Sequence, residues 1–219
     1  MRTLVVGAAI VDLMMKVERL PKSGEDIPCK ETKTVVGGCA YNVANTLRNL
    51  KCEHDLCVPV GSGSFADIIR RGMKEKGYEP MITAIESETM ENLFALKPIL
   101  HINEAEAKDY TQQENVEEAV RALYEKSDTL VFVTLGAEGT LFYDGKEMRR
   151  VASVKTNVVD TVGAGDSHIG AIIAGMSKGM KVEDAVLLAN RTAAAIVGTS
   201  GPVMDLEEFQ KISEEWENE

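Results

Sequence analysis

The feature that most restricts this chain is its rhythm. From Ile99 onward, short β-branched runs alternate with helical runs. Ile99–Ile102, Leu130–Thr134 and Gly139–Tyr143 read as strands, and Val151–Val159 reads as extended. Glu104–Asp109, Val116–Lys126, Ala164–Lys178, Val182–Val197 and Leu206–Trp216 read as helices. Strands that alternate with helices must bury apolar faces on both sides of a sheet, which points to an α/β layered domain with a mainly parallel sheet.

The first half fits the same class. Leu4–Val6 is a strand that turns at Gly7, and the apolar stretch Ala8–Met14 carries an isolated acid, Asp12. Pro21-Lys22-Ser23-Gly24-Glu25 is a turn by composition, and Lys30–Val36 alternates as an exposed or half-buried strand. A helix is expected over Tyr41–Leu50, a strand over Leu56–Val60, and an amphipathic helix over Phe65–Lys76 with Phe65, Ile68, Ile69 and Met73 on one face. Between Gly77 and Leu100 no strand is evident, and the chain passes through Met81-Ile82-Thr83 into a helical run, Glu86–Leu96.

A length of 219 residues suits one domain. With 24 basic and 35 acidic residues the net charge is −11, which disfavours nucleic acid as a partner but leaves room for a local anion site built from backbone N–H groups. The tail from Glu207 to Glu219 is acidic and reads as a solvated helix face. No apolar run reaches membrane-spanning length, and the N-terminal residues lack the pattern of a secretory signal, so a cytoplasmic protein is expected. Cys29, Cys39, Cys52 and Cys57 form no C-x-x-C pair and read as free thiols.

The strongest chemical signal is Asp160-Thr161-Val162-Gly163-Ala164-Gly165-Asp166, which runs directly into an apolar helix. Its glycines allow a ligand close to the backbone, and the helix start offers unpaired N–H groups and a positive dipole end. That combination suits phosphate. Asp166 at that terminus is placed to accept a proton from a hydroxyl, although an ordinary first-turn acid would look the same. Gly37-Gly38 opens a second helix, with Asn42 in its first turn offering both a donor and an acceptor. Asp12 could accept ligand hydroxyls or cap a nearby backbone group. Asn103 and Glu106 follow a strand end, where they could form a capping box or organise water and Mg²⁺. Thr134-Leu135-Gly136-Ala137-Glu138-Gly139 is another glycine loop at a strand's carboxyl end, where ligands collect in open α/β sheets.

In this order, these elements resemble the ribokinase-like (PfkB-type) carbohydrate kinases. The resemblance runs through most of the chain and is most specific at Asp160–Asp166. It implies a three-layer α/β/α sandwich with a mainly parallel central sheet, a small β lid over about residues 12–36, and one kinase domain across 1–219. It also implies phosphoryl transfer from ATP to a hydroxyl of a sugar or nucleoside. Asp166 would be the general base, and the N–H groups of Gly163, Ala164 and Gly165 would stabilise the transferring phosphoryl group. Asp12, Gly38 and Asn42 would hold the acceptor. Thr134, Gly136, Gly139 and Asn190 would border the nucleotide, and Asn103 and Glu106 would support Mg²⁺ through water. Asp160 and Ser200 are the positions it offers for a monovalent cation, and the lid edge is a natural homodimer surface.

Members of that family are longer than 219 residues, and the shortfall falls where no strand is evident, near Met81–Ile82. A degenerate, non-catalytic nucleotide- or sugar-binding protein of the same fold is therefore the alternative. A dinucleotide-dependent oxidoreductase is disfavoured, because its glycine fingerprint belongs after the first strand and here the glycine loop lies near the C-terminus.

Overall fold

The computed structural model describes residues 3–58, 60–78, 94, 96–199, 201, 204–207 and 209–210. Strand β1 (Thr3–Val6) pairs in parallel with β4 (His54–Cys57). Strands β2 (Ile10–Lys16) and β3 (Glu31–Gly37) form an antiparallel hairpin in which Asp12 faces Val35. Helix α1 (Cys39–Asn49) follows β3, and α2 (Ser64–Glu75) follows β4. A four-stranded sheet then runs β5 (Leu100–Asn103), β6 (Val131–Thr134), β7 (Thr140–Tyr143) and β8 (Met148–Val151). Its β5–β6 pair is parallel and its β6–β7 and β7–β8 pairs are antiparallel.

Both faces of that sheet are covered. Helices α3 (Glu104–Thr111) and α4 (Val116–Ser127) bury Ala107, Val120 and Leu123 against Val131, Val133 and Leu141. Helices α5 (Ala164–Ser177) and α6 (Val182–Val197) bury Ile172, Val186 and Ala189 against Phe132 and Phe142. Residues 131–133 are buried on both faces, which explains why Val131-Phe132-Val133 reads as a continuous apolar run. A third cluster joins Val5, Leu47, Leu56, Ile69 and Met73 across β1, β4, α1 and α2.

Two expectations change. On α2 the inward residues are Ala66, Ile69 and Met73, while Phe65 lies 65% exposed, so the buried stripe starts one position later than its largest apolar residue suggests. The reading of Val151–Val159 as extended misses the regular strand, which is Met148–Val151; the backbone after Val151 leaves the ladder because it drapes over Gly139, where any Cβ would overlap Val151 O and crowd Ala152. Most of the helical run Glu86–Leu96 and most of Leu206–Trp216 lie outside the described residues, as does Ser200.

Helices α1 and α5 approach closely at one point. A Cβ on Gly170 would lie 2.9 Å from Thr46 Cβ and 3.1 Å from Val43 O. Glycine is needed there for the helices to touch. One turn toward the N-terminus from this contact lie Asn42 on α1 and Asp166 on α5.

Candidate active site

That crossing brings the two glycine elements of the sequence together. Asn42 Nδ2 donates to Asp166 Oδ2 at 2.8 Å. Asn42 is 4% exposed, and its Oδ1 is buried with no partner among the described residues. Helix α5 begins at Gly163, which adopts the left-handed conformation (φ 80°) that favours glycine. Ala164 N donates to Thr161 O and Ser167 N to Gly163 O, leaving the N–H groups of Gly165 and Asp166 without a backbone acceptor among the described residues. Two free N–H groups at a positive helix end form an anion-binding corner beside the carboxylate.

The loop before this corner is braced by Asp160. Its Oδ1 accepts from Val162 N at 3.0 Å and its Oδ2 from Gly201 N at 3.1 Å. Gly38 (φ 99°) lies where a Cβ would meet Ala8 O at 2.6 Å and Ala9 Cα at 2.9 Å, so the start of α1 is seated on the link between β1 and β2. Asp12 is half-buried on the hairpin and makes no hydrogen bond or ion pair among the described residues. Cys39 was not singled out as a site residue, yet it lies beside Asp166; burial raises its thiol pKa, and the Asp166 charge and a hydrogen bond to that carboxylate raise it further.

A groove of about 890 Å³ opens on the other side of the α5 N-terminus. Its lining includes all four positions expected to border the nucleotide, Thr134, Gly136, Gly139 and Asn190, together with Ala164 and Gly165 of the anion corner. Gly136 and Gly139 both have positive φ (57° and 96°). The opposite wall is the segment from Ser153 to Val158. His168, Thr140 and Asn190 supply polar groups to its floor.

Asn103 and Glu106 form the capping box of α3. Glu106 N donates to Asn103 Oδ1 at 2.9 Å, and Asn103 N to Glu106 Oε2 at 3.2 Å. Both side chains are exposed at the carboxyl end of β5. Among the described residues no group of three or more His, Cys, Asp or Glu side chains is arranged to hold a metal. The oxygens of these two residues are nonetheless the hard donors that suit Mg²⁺, which commonly keeps several waters and takes only one or two carboxylates alongside substrate phosphates.

The profile of the pfkB family carbohydrate kinases matches residues 2–78 and 77–208. The chain belongs to this family. The two matched segments meet beside the stretch in which no strand was evident. An uncharacterized sugar kinase of Escherichia coli, YegV, is 25% identical over 285 aligned positions, covering 90% of this chain and 89% of YegV. The ribokinase of Arabidopsis thaliana, solved with ribose and ATP, superposes with a TM-score of 0.74 at 19% identity, covering 96% of this chain and 97% of that one. The phosphofructokinase-2 of Escherichia coli, solved with potassium, gives 0.80 at 15% identity over 99% and 98%. At these identities the two structures show a shared fold, that of the ribokinase-like α/β kinases. As for solvent, no described helix of this family member is long and apolar enough to cross a membrane.

Proposed function

We propose that this chain transfers the γ-phosphoryl group of ATP to a hydroxyl of a sugar or nucleoside, with Asp166 as general base. The observation that carries this reading is the Asp166 carboxylate at the N-terminus of α5, held by Asn42. Its neighbours Ala164 and Gly165 line the large groove, and Asn42 stands in the first turn of α1, just after Gly38.

In this reading ATP lies in the groove with its base against Asn190 and its phosphates at the anion corner. The acceptor's other hydroxyls bind Asp12, Asn42 and the backbone at Gly38. Asp166 takes the proton of the attacking hydroxyl as its oxygen bonds to the γ-phosphorus and the bond to the β-phosphate oxygen breaks, giving phosphorylated acceptor and ADP. The N–H groups of Gly165 and Asp166, with the turn at Gly163–Ala164, stabilise the charge that spreads over the transferring group. Mg²⁺ held through water by Asn103 and Glu106 would neutralise phosphate charge. Each Asp160 oxygen accepts one N–H and keeps a lone pair that a monovalent cation could use, and the hairpin would act as the lid that excludes water.

ADP release with ATP and Mg²⁺ is the test, run against sugars, sugar phosphates and nucleosides. Turnover with one acceptor class, lost by about a thousandfold in Asp166→Asn with ATP binding kept, supports the reading. Near-normal kcat in that variant removes Asp166 from the role.

A second reading is favoured by one observation. The alignment with YegV spans more positions than this chain has residues, and the family match falls into two segments. We infer a central segment lacking relative to YegV, near Met81–Ile82, a place outside the described residues. A protein shortened there could bind nucleotide or sugar without turnover; ATP binding with no ADP release under any acceptor would establish that reading.

A further inference from the structure

Asn190 sits in the floor of the groove, 6% exposed, and its amide orientation is fixed. Nδ2 donates to Val151 O at 3.1 Å and to Ala152 O at 2.9 Å, which uses both amide protons. Oδ1 therefore faces the other way, where it accepts from Thr140 Oγ1 at 2.8 Å and lies 3.0 Å from His168 Nε2. Nε2 also lies 2.9 Å from Thr140 Oγ1, whose one proton goes to Asn190 Oδ1; a carboxamide oxygen can only accept, so a proton on Nε2 is the arrangement that satisfies both contacts. A neutral imidazole holds one proton, which leaves Nδ1 bare. That bare nitrogen lies 2.9 Å from His101 Nε2, which must donate. Both rings are held neutral: burial takes the His168 pKa down to about 4, and burial, then the neighbouring ring, takes that of His101 down to about 3.

The carbonyls at the end of this chain are where the groove wall begins. Val151 closes β8, and the wall follows from Ser153 to Val158. The wall's first residues rest on Gly139 and hang from the Asn190 amide. If His168 could not present a proton, Asn190 Oδ1 would keep Thr140 Oγ1 as its one donor, and the amide that donates to the two carbonyls would be held less firmly.

We propose that His168, backed by His101, is a positioning residue of the nucleotide groove: its Nε2 proton holds the Asn190 carboxamide in the orientation that pins the Val151–Ala152 backbone and so preforms the wall against which nucleotide binds. This rests on the kinase reading above. Neither histidine needs to touch the reacting atoms. Both act through Asn190 and Thr140, and their effect falls on nucleotide affinity.

Calorimetric titration of the full chain with ADP and Mg²⁺ tests this. His168→Phe keeps a ring of similar size and removes both nitrogens; ADP binding should weaken about tenfold or more, the effect of losing one or two hydrogen bonds. His168→Gln, whose amide can still donate to Asn190 Oδ1, should recover most of the loss. Leu123→Ala, in the core under α4 on the opposite sheet face, should lower the melting midpoint and leave ADP affinity unchanged. If His168→Phe does not fold, His101→Leu removes the outer donor instead and should weaken ADP binding severalfold, with His101→Gln restoring it. In ¹⁵N spectra at neutral pH, His168 should show Nε2 protonated and Nδ1 bare. The proposal is overturned if His168→Phe binds ADP within about twofold of the unaltered chain, or if Leu123→Ala weakens it equally. Should the unaltered chain bind no ADP, the kinase reading fails and takes this inference with it; binding that is indifferent to His168 sinks the inference alone.

Discussion

Asn42 and His168 do similar work on different partners. Each is a buried polar group whose hydrogen bonding fixes the direction of a neighbour: Asn42 that of the Asp166 carboxylate, His168 that of the Asn190 amide. Burying such groups costs free energy unless they are paired, so the pairing is strongly specified. The histidines also tie stability to pH. Their pKa values are lowered from 6.5 to about 3 and about 4, so between those values and 6.5 the unfolded chain binds more protons than the folded one. Stability is thus whole above about pH 6.5 and falls as pH drops toward 4, by up to about 1.4 kcal/mol per pH unit for each histidine. Urea unfolding at pH 7 and pH 5 should show this loss, and a His101→Gln/His168→Gln double variant should lose most of its pH slope in that range. An unchanged slope would mean the rings are not kept neutral by the fold. The sequence gives no warning of this pair. His101 and His168 are 67 positions apart and belong to a strand and a helix whose contact is purely tertiary. The only local sign is a histidine two residues after Asp166, where the apolar stretch of α5 begins.

At the scale of elements, the α1–α5 crossing governs the site. Gly170 touches Thr46, and one turn away Asp166 meets Asn42, so the separation of the helices at the first contact sets the second. Gly170→Val would force its Cβ into Thr46 and push α5 away. We expect a stability loss of about 1–3 kcal/mol and a fall in kcat larger than any change in nucleotide affinity, because the Asn42–Asp166 bond stretches while the groove lies on the other side of the α5 start. Equal losses in both would mean that the crossing only stabilises the fold. Much of this level was legible. Helices at Tyr41–Leu50 and Val182–Val197 and strands at Leu130–Thr134 and Gly139–Tyr143 stand near their observed bounds, because apolar spacing is a local property. The errors have a tertiary cause. Phe65 looks inward by size and points outward, and the strand Met148–Val151 goes unread while the extended stretch after it leaves the sheet over Gly139. The capping box at Asn103 and Glu106 was visible from spacing alone, and the structure forms it.

At the scale of the whole molecule, the sheet strands fall into separate groups. β1 pairs only with β4, and β5 only with β6, among the described residues. In an α/β sheet covered on both faces, strands carry apolar residues on both sides. β1 carries them, but only Val5 is buried; Leu4 is 60% and Val6 50% exposed. Two neighbouring apolar side chains bare on one strand face make a surface prone to association. Replacing both residues by threonine puts a β-branched side chain, which suits a strand, at each position and removes most of the apolar surface. If the face is bare in solution, the Leu4→Thr/Val6→Thr variant should change unfolding free energy by less than about 0.5 kcal/mol while lowering concentration-dependent light scattering and binding of an apolar dye. A loss above about 2 kcal/mol, growing as the protein is diluted, would instead mean that a second copy covers β1, since burial in a dimer couples stability to concentration.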